Sequence, residues 1–280
     1  MSGPAGRGGT RGGGGAKRRG SPLPGRVSRG DFERGWRGGL GRYVAESQRP
    51  IVVLLFLLPA IAFYEIRLVL LHLGGESLVV NKAQHGVLRV LEAIGLGQAG
   101  AIGMALPGIV LVVLLLIWQL VAGGSWSVRP TVLLGMLAES LLMALPLLAL
   151  SRLATAPPLA VAGPWTDLGL SGALAISIGA GLYEELVFRL LLIAVVHSVL
   201  VDMLRISEPA GSILAVLASA IAFTVYHPLR GADGGVEFAR AAFYLVAGVW
   251  LGVLMLRRGF GIAVGAHAAY DVATLVAADA

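Results

Sequence analysis

Long apolar runs alternate with short polar connections from residue 51 to the end of the chain. A spanning helix needs about 20 apolar residues, and runs of that kind fall near 51–73, 101–122, 131–151, 170–201, 211–228, 239–256 and 260–278. The pattern predicts an all-α fold: a polytopic membrane helix bundle of about seven transmembrane helices. Between the first two runs the pattern changes. From Val79 to Leu96, apolar Val80, Val87, Leu88, Leu91 and Ile94 are interleaved with Lys82, Arg89 and Glu92, which predicts an interfacial or pocket-covering helix. Ahead of the first run, Asp31 to Gln48 places Phe32, Trp36, Leu40 and Tyr43 at spacings of four, four and three, as in a short amphipathic helix on the inner leaflet. Pro59, Pro107 and Pro146 lie inside apolar runs, where membrane helices tolerate them as kinks.

Composition agrees with this pattern. Hydrophobic residues make up 56% of the chain, charged residues 14%, and the mean hydropathy is +0.82, far from the roughly 25% charged of soluble domains. The net charge of +6 would suggest nucleic acid if it were spread evenly, but it is not. Residues 1–49 hold eleven Arg/Lys against three Asp/Glu, and the remainder holds eleven against thirteen. We read residues 1–49 as a basic, largely disordered cytoplasmic tail, with residues 1–30 too poor in apolar groups to build a core. The membrane domain is then 50–280. The tail is too long and too polar to be a cleavable signal peptide. Its expected partners are anionic lipid headgroups, and no nucleic acid is expected. With the tail inside, that side collects fifteen basic residues against four outside, which predicts an inner N-terminus and an outer C-terminus. The Gly, Ala and Arg usage suggests a bacterial cytoplasmic membrane. Cysteine is absent, so any metal would need His, Asp or Glu ligands.

The fourth run contains groups that a lipid-embedded helix has no packing reason to keep: Glu184, Glu185 and Arg189. Each ionised group at bilayer depth costs about 2.5 to 3.5 kcal/mol on insertion scales. Glu185 and Arg189 stand one turn apart and can neutralise each other. Glu184 is left over, a candidate general base for activating water. Two later segments add imidazoles. His227 is followed by Pro228, which marks a helix end, and His267 and Asp271 share a helix face at i and i+4, so that Asp271 can orient the ring. Glu184, His227 and His267 would also make a His₂Glu zinc set with water in the fourth position, though without the compact His-Glu-x-x-His spacing. On these spans His227 falls near the outer face, Glu184 midway and His267 close to the inner end. A single site therefore requires a tilted or broken fourth helix, shifted helix ends or the opposite orientation. Glu65, Arg67, Glu139 and His197 read as packing, snorkelling or local pairing residues.

In this order on separate helices, Glu-Glu-x-x-x-Arg, Phe-x-x-x-His and His-x-x-x-Asp resemble the motifs of the CAAX prenyl endopeptidase and bacteriocin-processing (CPBP, or Abi) family of intramembrane proteases. The resemblance covers residues 168–278. It implies a membrane endopeptidase acting on a membrane-associated protein or peptide, in which Glu184, helped by His227, activates water. It further implies that His267 and Asp271 stabilise the oxyanion or assist the histidine, and it leaves the family's divalent metal, such as zinc, as an open cofactor. Asp271 stands where the prenyl-protein enzymes carry Asn, and an ionised Asp cannot donate to an oxyanion. Two other readings use some of the same residues. Gly169, Leu170, Ser171 and Gly172 fit the Gly-x-Ser-Gly of rhomboid-type proteases, with His267 as base for Ser171. A proton-coupled transporter or scaffold could use Glu184, His227 and His267 as a relay, though the chain shows no internal repeat.

Overall fold

The computed structural model describes residues 29–73, 81–96, 101–154, 169–231 and 234–278. Two compact units divide at Leu40 and Gly41. In the first, the described residues belong to helix α1 (Arg29–Ser47). The expected disorder, through residue 28, lies outside the described residues, as do the side chains of Phe32 and Trp36.

The second unit begins ahead of the first apolar run, because residues 41–49 pack onto it. The Tyr43 hydroxyl donates to Glu139 Oε2 at 2.6 Å, Arg258 Nη2 donates to the same oxygen at 2.6 Å, and Arg129 pairs with Glu46 at 2.6 Å. Burial, followed by the neighbouring Glu139 carboxylate, pushes the Tyr43 phenol above its ordinary range, so it acts as a donor. Residues 41–49, assigned from sequence to the tail, thus belong with the helices they touch.

Among the described residues, seven helices are long and apolar enough to cross a membrane: Pro50–Leu71, Ala105–Ala122, Pro130–Leu153, Gly169–Met203, Glu208–Tyr226, Phe238–Arg258 and Phe260–Ala277. They lie within helices α2 (Pro50–Leu73), α4 (Ala101–Ala122), α5 (Pro130–Leu153), the composite fourth span, α8 (Glu208–Tyr226), α9 (Phe238–Arg258) and α10 (Phe260–Ala278). The chain is a multi-pass helical membrane protein. Helix α3 (Lys82–Ala93) is a short amphipathic helix that buries Ala83, Gln84 and Leu91.

Among the described residues, two larger apolar clusters and a small one around Ile193, Ala215 and Val216 hold the bundle. One of the larger two gathers Leu57, Leu111, Leu115, Leu182 and Ile262; the other centres on Phe188, Phe223, Phe243, Tyr244 and Leu251. Large apolar side chains such as Leu120, Leu142, Val195 and Val225 stay exposed on the perimeter, as expected of a lipid-facing surface.

Among the described residues, irregular winding falls in the fourth span. It runs as α6 (Gly169–Glu184), a π-helical stretch Glu185–Leu192, α7 (Ile193–Ser198) and a second π stretch Val199–Met203. A π turn closes its hydrogen bonds one residue further along than an α turn, and such turns recur at functional sites. Here the Phe188 carbonyl, within the first π stretch, accepts a hydrogen bond from Ser219 Oγ of α8 at 2.7 Å, so a neighbouring helix satisfies the altered backbone. Gly181 sets the other contact of this span: a Cβ there would lie 2.8 Å from the Ala268 backbone nitrogen. Only a missing side chain lets α6 approach α10 so closely.

Candidate active site

The site forms where the α-to-π transition of the fourth span meets α10, the end of α8 and the start of α3. Glu184 closes α6 and Glu185 opens the π stretch. His227 is the C-cap of α8, with φ −84° and ψ 156°, so its backbone has already left the helix. The proline that follows keeps it so. His267 sits on α10 one residue from Ala268, which Gly181 approaches.

Glu184 is 5% exposed and touches three side chains. Its Oε2 lies 3.5 Å from His227 Nε2 and 4.0 Å from His267 Nε2, and its Oε1 accepts a hydrogen bond from Asn81 Nδ2 at 3.3 Å. Both imidazoles are anchored through their other nitrogen. His227 Nδ1 is 2.8 Å from the Phe223 carbonyl, and a carbonyl can only accept, so Nδ1 carries the hydrogen and Nε2 faces Glu184. The His227 ring also stacks on Tyr244, with centroids 4.0 Å apart and planes at 29°. His267 Nδ1 lies 2.8 Å from Glu185 Oε1, a carboxylate partner of the kind that fixes the tautomer of a working histidine.

Glu185 therefore has two tasks. Arg189 Nη1 is 3.2 Å from the same Oε1, and both side chains are fully buried. Arg189 also lies over the Phe223 ring, its Cζ 4.0 Å from the centroid, which adds cation–π attraction to the charge pairing. Asp271 is placed differently from expectation. Its Oδ2 is 3.5 Å from His267 Nε2, while Glu185 holds Nδ1. The ring is oriented by Glu185, and Asp271 stands on the Nε2 side as a nearby carboxyl.

Asn81 has no counterpart among the residues singled out from sequence. It is 8% exposed and caps α3, its Oδ1 accepting the Ala83 N–H at 2.7 Å. The Val79 to Leu96 pattern signals a pocket-covering helix, but its periodicity speaks only for the apolar positions. Glu65 accepts a hydrogen bond from the Tyr183 hydroxyl. Glu139 pairs with Arg258 and Tyr43, and His197 is half-buried on α7. Ser171 is exposed on the first turn of α6. It lies about 20 Å along the helix axis from Glu184, at 1.5 Å per residue. The arrangement does not bring Ser171 to His267, and the serine-protease alternative loses its pair.

The donor chemistry of Glu184, His227 and His267 suits zinc: two anchored imidazoles and a carboxylate. The spacing does not. Ligands about 2.0 to 2.1 Å from a tetrahedral ion lie about 3.4 Å apart. The 3.5 Å separation fits, the 4.0 Å separation does not, and among the described residues no group of three His, Asp or Glu side chains is arranged to hold a metal ion.

Fold and site together define a helical membrane protein with a buried carboxylate facing two imidazoles. Residues 166–273 match the family model described as type II CAAX prenyl endopeptidase Rce1-like. Searches of curated proteins and of solved structures found no match.

Proposed function

We propose that the protein is an intramembrane endopeptidase that hydrolyses a peptide bond of a membrane-associated protein or peptide, with Glu184 as general base. One observation carries the reading. Glu184 Oε2 is buried and, among the described residues, accepts no hydrogen bond, although it faces two imidazole nitrogens 3.5 and 4.0 Å away. Each of these two pairs is spaced so that one water, about 2.8 Å from both partners, can bridge it. A water there lies against the base. Its oxygen attacks the carbonyl carbon while Glu184 takes its proton and the C=O π electrons move to oxygen. Collapse restores the carbonyl and breaks the C–N bond, and Glu184 returns the proton to the departing amine. His227 Nε2 steadies the water and shares the proton. His267, aligned by Glu185, and Asp271 border the reacting carbonyl.

The reaction is written without a metal, because the spacing argues against one. The purified protein, washed with chelator, is expected to keep its cleavage rate and to carry far less than one equivalent of zinc. Loss of activity restored by added zinc would overturn the metal-free scheme.

The decisive test compares membrane proteomes of cells carrying the wild-type protein and Glu184→Gln. A precursor is expected to accumulate only in the variant, because losing a general base typically costs about 10² to 10⁴-fold in rate. Unchanged processing, with altered ion or solute movement, would replace hydrolysis by a proton relay. Orientation is part of the proposal. The basic tail and the inner-loop arginines support an inner N-terminus.

A further inference from the structure

We infer that Asn81, delivered by α3 from outside the Rce1-like segment, is the hydrogen-bond donor to the scissile carbonyl oxygen; the inference rests on the hydrolase reading above.

Attack on an amide carbonyl builds negative charge on its oxygen. An N–H donor aimed at that oxygen is worth about 10² to 10³-fold in kcat. The side chains in contact with Glu184 offer few such donors. His227 Nδ1 is held by the Phe223 carbonyl and His267 Nδ1 by Glu185. Their Nε2 atoms face carboxylate oxygens: Glu184 for both, and Asp271 in addition for His267. Both imidazoles are thus aimed at proton-accepting groups. Asp271 and Glu185 can only accept when ionised.

Asn81 is the amide in this set, and its donor end is fixed. Its Oδ1 caps α3 by accepting the Ala83 N–H at 2.7 Å, so the amide nitrogen must be the end that faces Glu184, at 3.3 Å from Oε1. That orientation follows from the cap, since an oxygen turned toward a carboxylate would repel it and leave Ala83 N–H unsatisfied. Nδ2 carries two hydrogens, and Glu184 takes one. Nδ2 stands 3.3 Å from Oε1 of the carboxylate whose Oε2 would hold the attacking water, so a carbonyl poised for that attack is close to the second hydrogen. Asn81 therefore steadies the base in the resting site and binds the oxyanion as it forms. Because the amide does not titrate, it does both at any working pH.

The test separates this role from capping. Ser and Thr are good N-cap residues but lack the reach and the N–H of Asn, so Asn81→Ser and Asn81→Thr are expected to leave thermal stability close to wild type. The full-length chain in liposomes is assayed on the precursor that accumulates in the Glu184→Gln cells. Both cap-preserving variants are expected to lose about 10² to 10³-fold in kcat, with KM changed less than about threefold. Glu184→Gln inactive but Asn81→Ser and Asn81→Thr cleaving at the wild-type rate would overturn the inference and leave the hydrolase reading standing. A raised KM with unchanged kcat would also overturn it, since that marks a contact equal in ground and transition states. Wild-type cleavage by Glu184→Gln would remove both.

Discussion

Arg189 shows how much a single residue in this bundle depends on its neighbours. It is fully buried, and its compensation is Glu185 at 3.2 Å and the face of Phe223 at 4.0 Å. Taking away one member of a buried pair leaves the other charged and desolvated, at a cost of about 3 to 5 kcal/mol. Arg189→Met is therefore expected to lower thermal stability sharply in detergent, and the double variant Glu185→Gln with Arg189→Met to recover part of it. A double variant as unstable as Arg189→Met alone would show that packing, and not charge, sets the loss. Tyr244 makes the opposite case. Its hydroxyl is buried with no hydrogen-bond partner among the described residues, while its ring stacks on His227. Tyr244→Phe should be neutral or slightly stabilising and keep activity, because it removes an unsatisfied polar group and preserves the stack. Tyr244→Leu should release the imidazole and lower kcat, as measured on the same substrate.

At the scale of elements, the approach of α6 to α10 sets the distance between Glu184 and His267. Gly181→Ala would drive a methyl into the Ala268 backbone, 2.8 Å from its nitrogen. Backbone cannot swing aside as a side chain can, so a loss of about 1 to 3 kcal/mol is expected, together with reduced cleavage. Gly86→Ala on α3 is the control. Nothing lies within 4 Å of a Cβ there, and Ala is the better helix former by up to about 1 kcal/mol. Much of this architecture was legible in the sequence, because seven spans announce themselves by length and hydropathy. Glu184 stood out as a charge without a helical partner, and the order of Glu184, His227 and His267 suggested one site. A broken fourth helix is one of the ways the spans allow a single site, but the π winding it takes was not legible. Nothing in the residues from Glu185 to Leu192 marks a π turn, since such a turn is stabilised from outside, as by Ser219 on α8. Glu185 was half legible: Arg189 accounts for its charge so fully that the bond to His267 has no sequence signature. Asn81 was illegible because one amide in an amphipathic stretch is most economically read as a helix cap, and it is that as well.

For the molecule as a whole, the expected orientation can be checked directly, because the chain has no cysteine. Single cysteines placed at Ser125 and at Arg230 should label differently with a membrane-impermeant maleimide on intact cells: position 230 modified, position 125 protected until the membrane is opened. The reverse pattern would invert the topology read from the basic residues. The bond from Asn81 to Glu184 carries a broader consequence. The family match spans residues 166–273, yet the Glu184 carboxylate within it accepts a hydrogen bond from the amide of Asn81. On the proposed reading the matched segment is consequently not portable: a chimera that keeps 166–273 but borrows its leading helices from an unrelated membrane protein would lack the amide that meets Glu184.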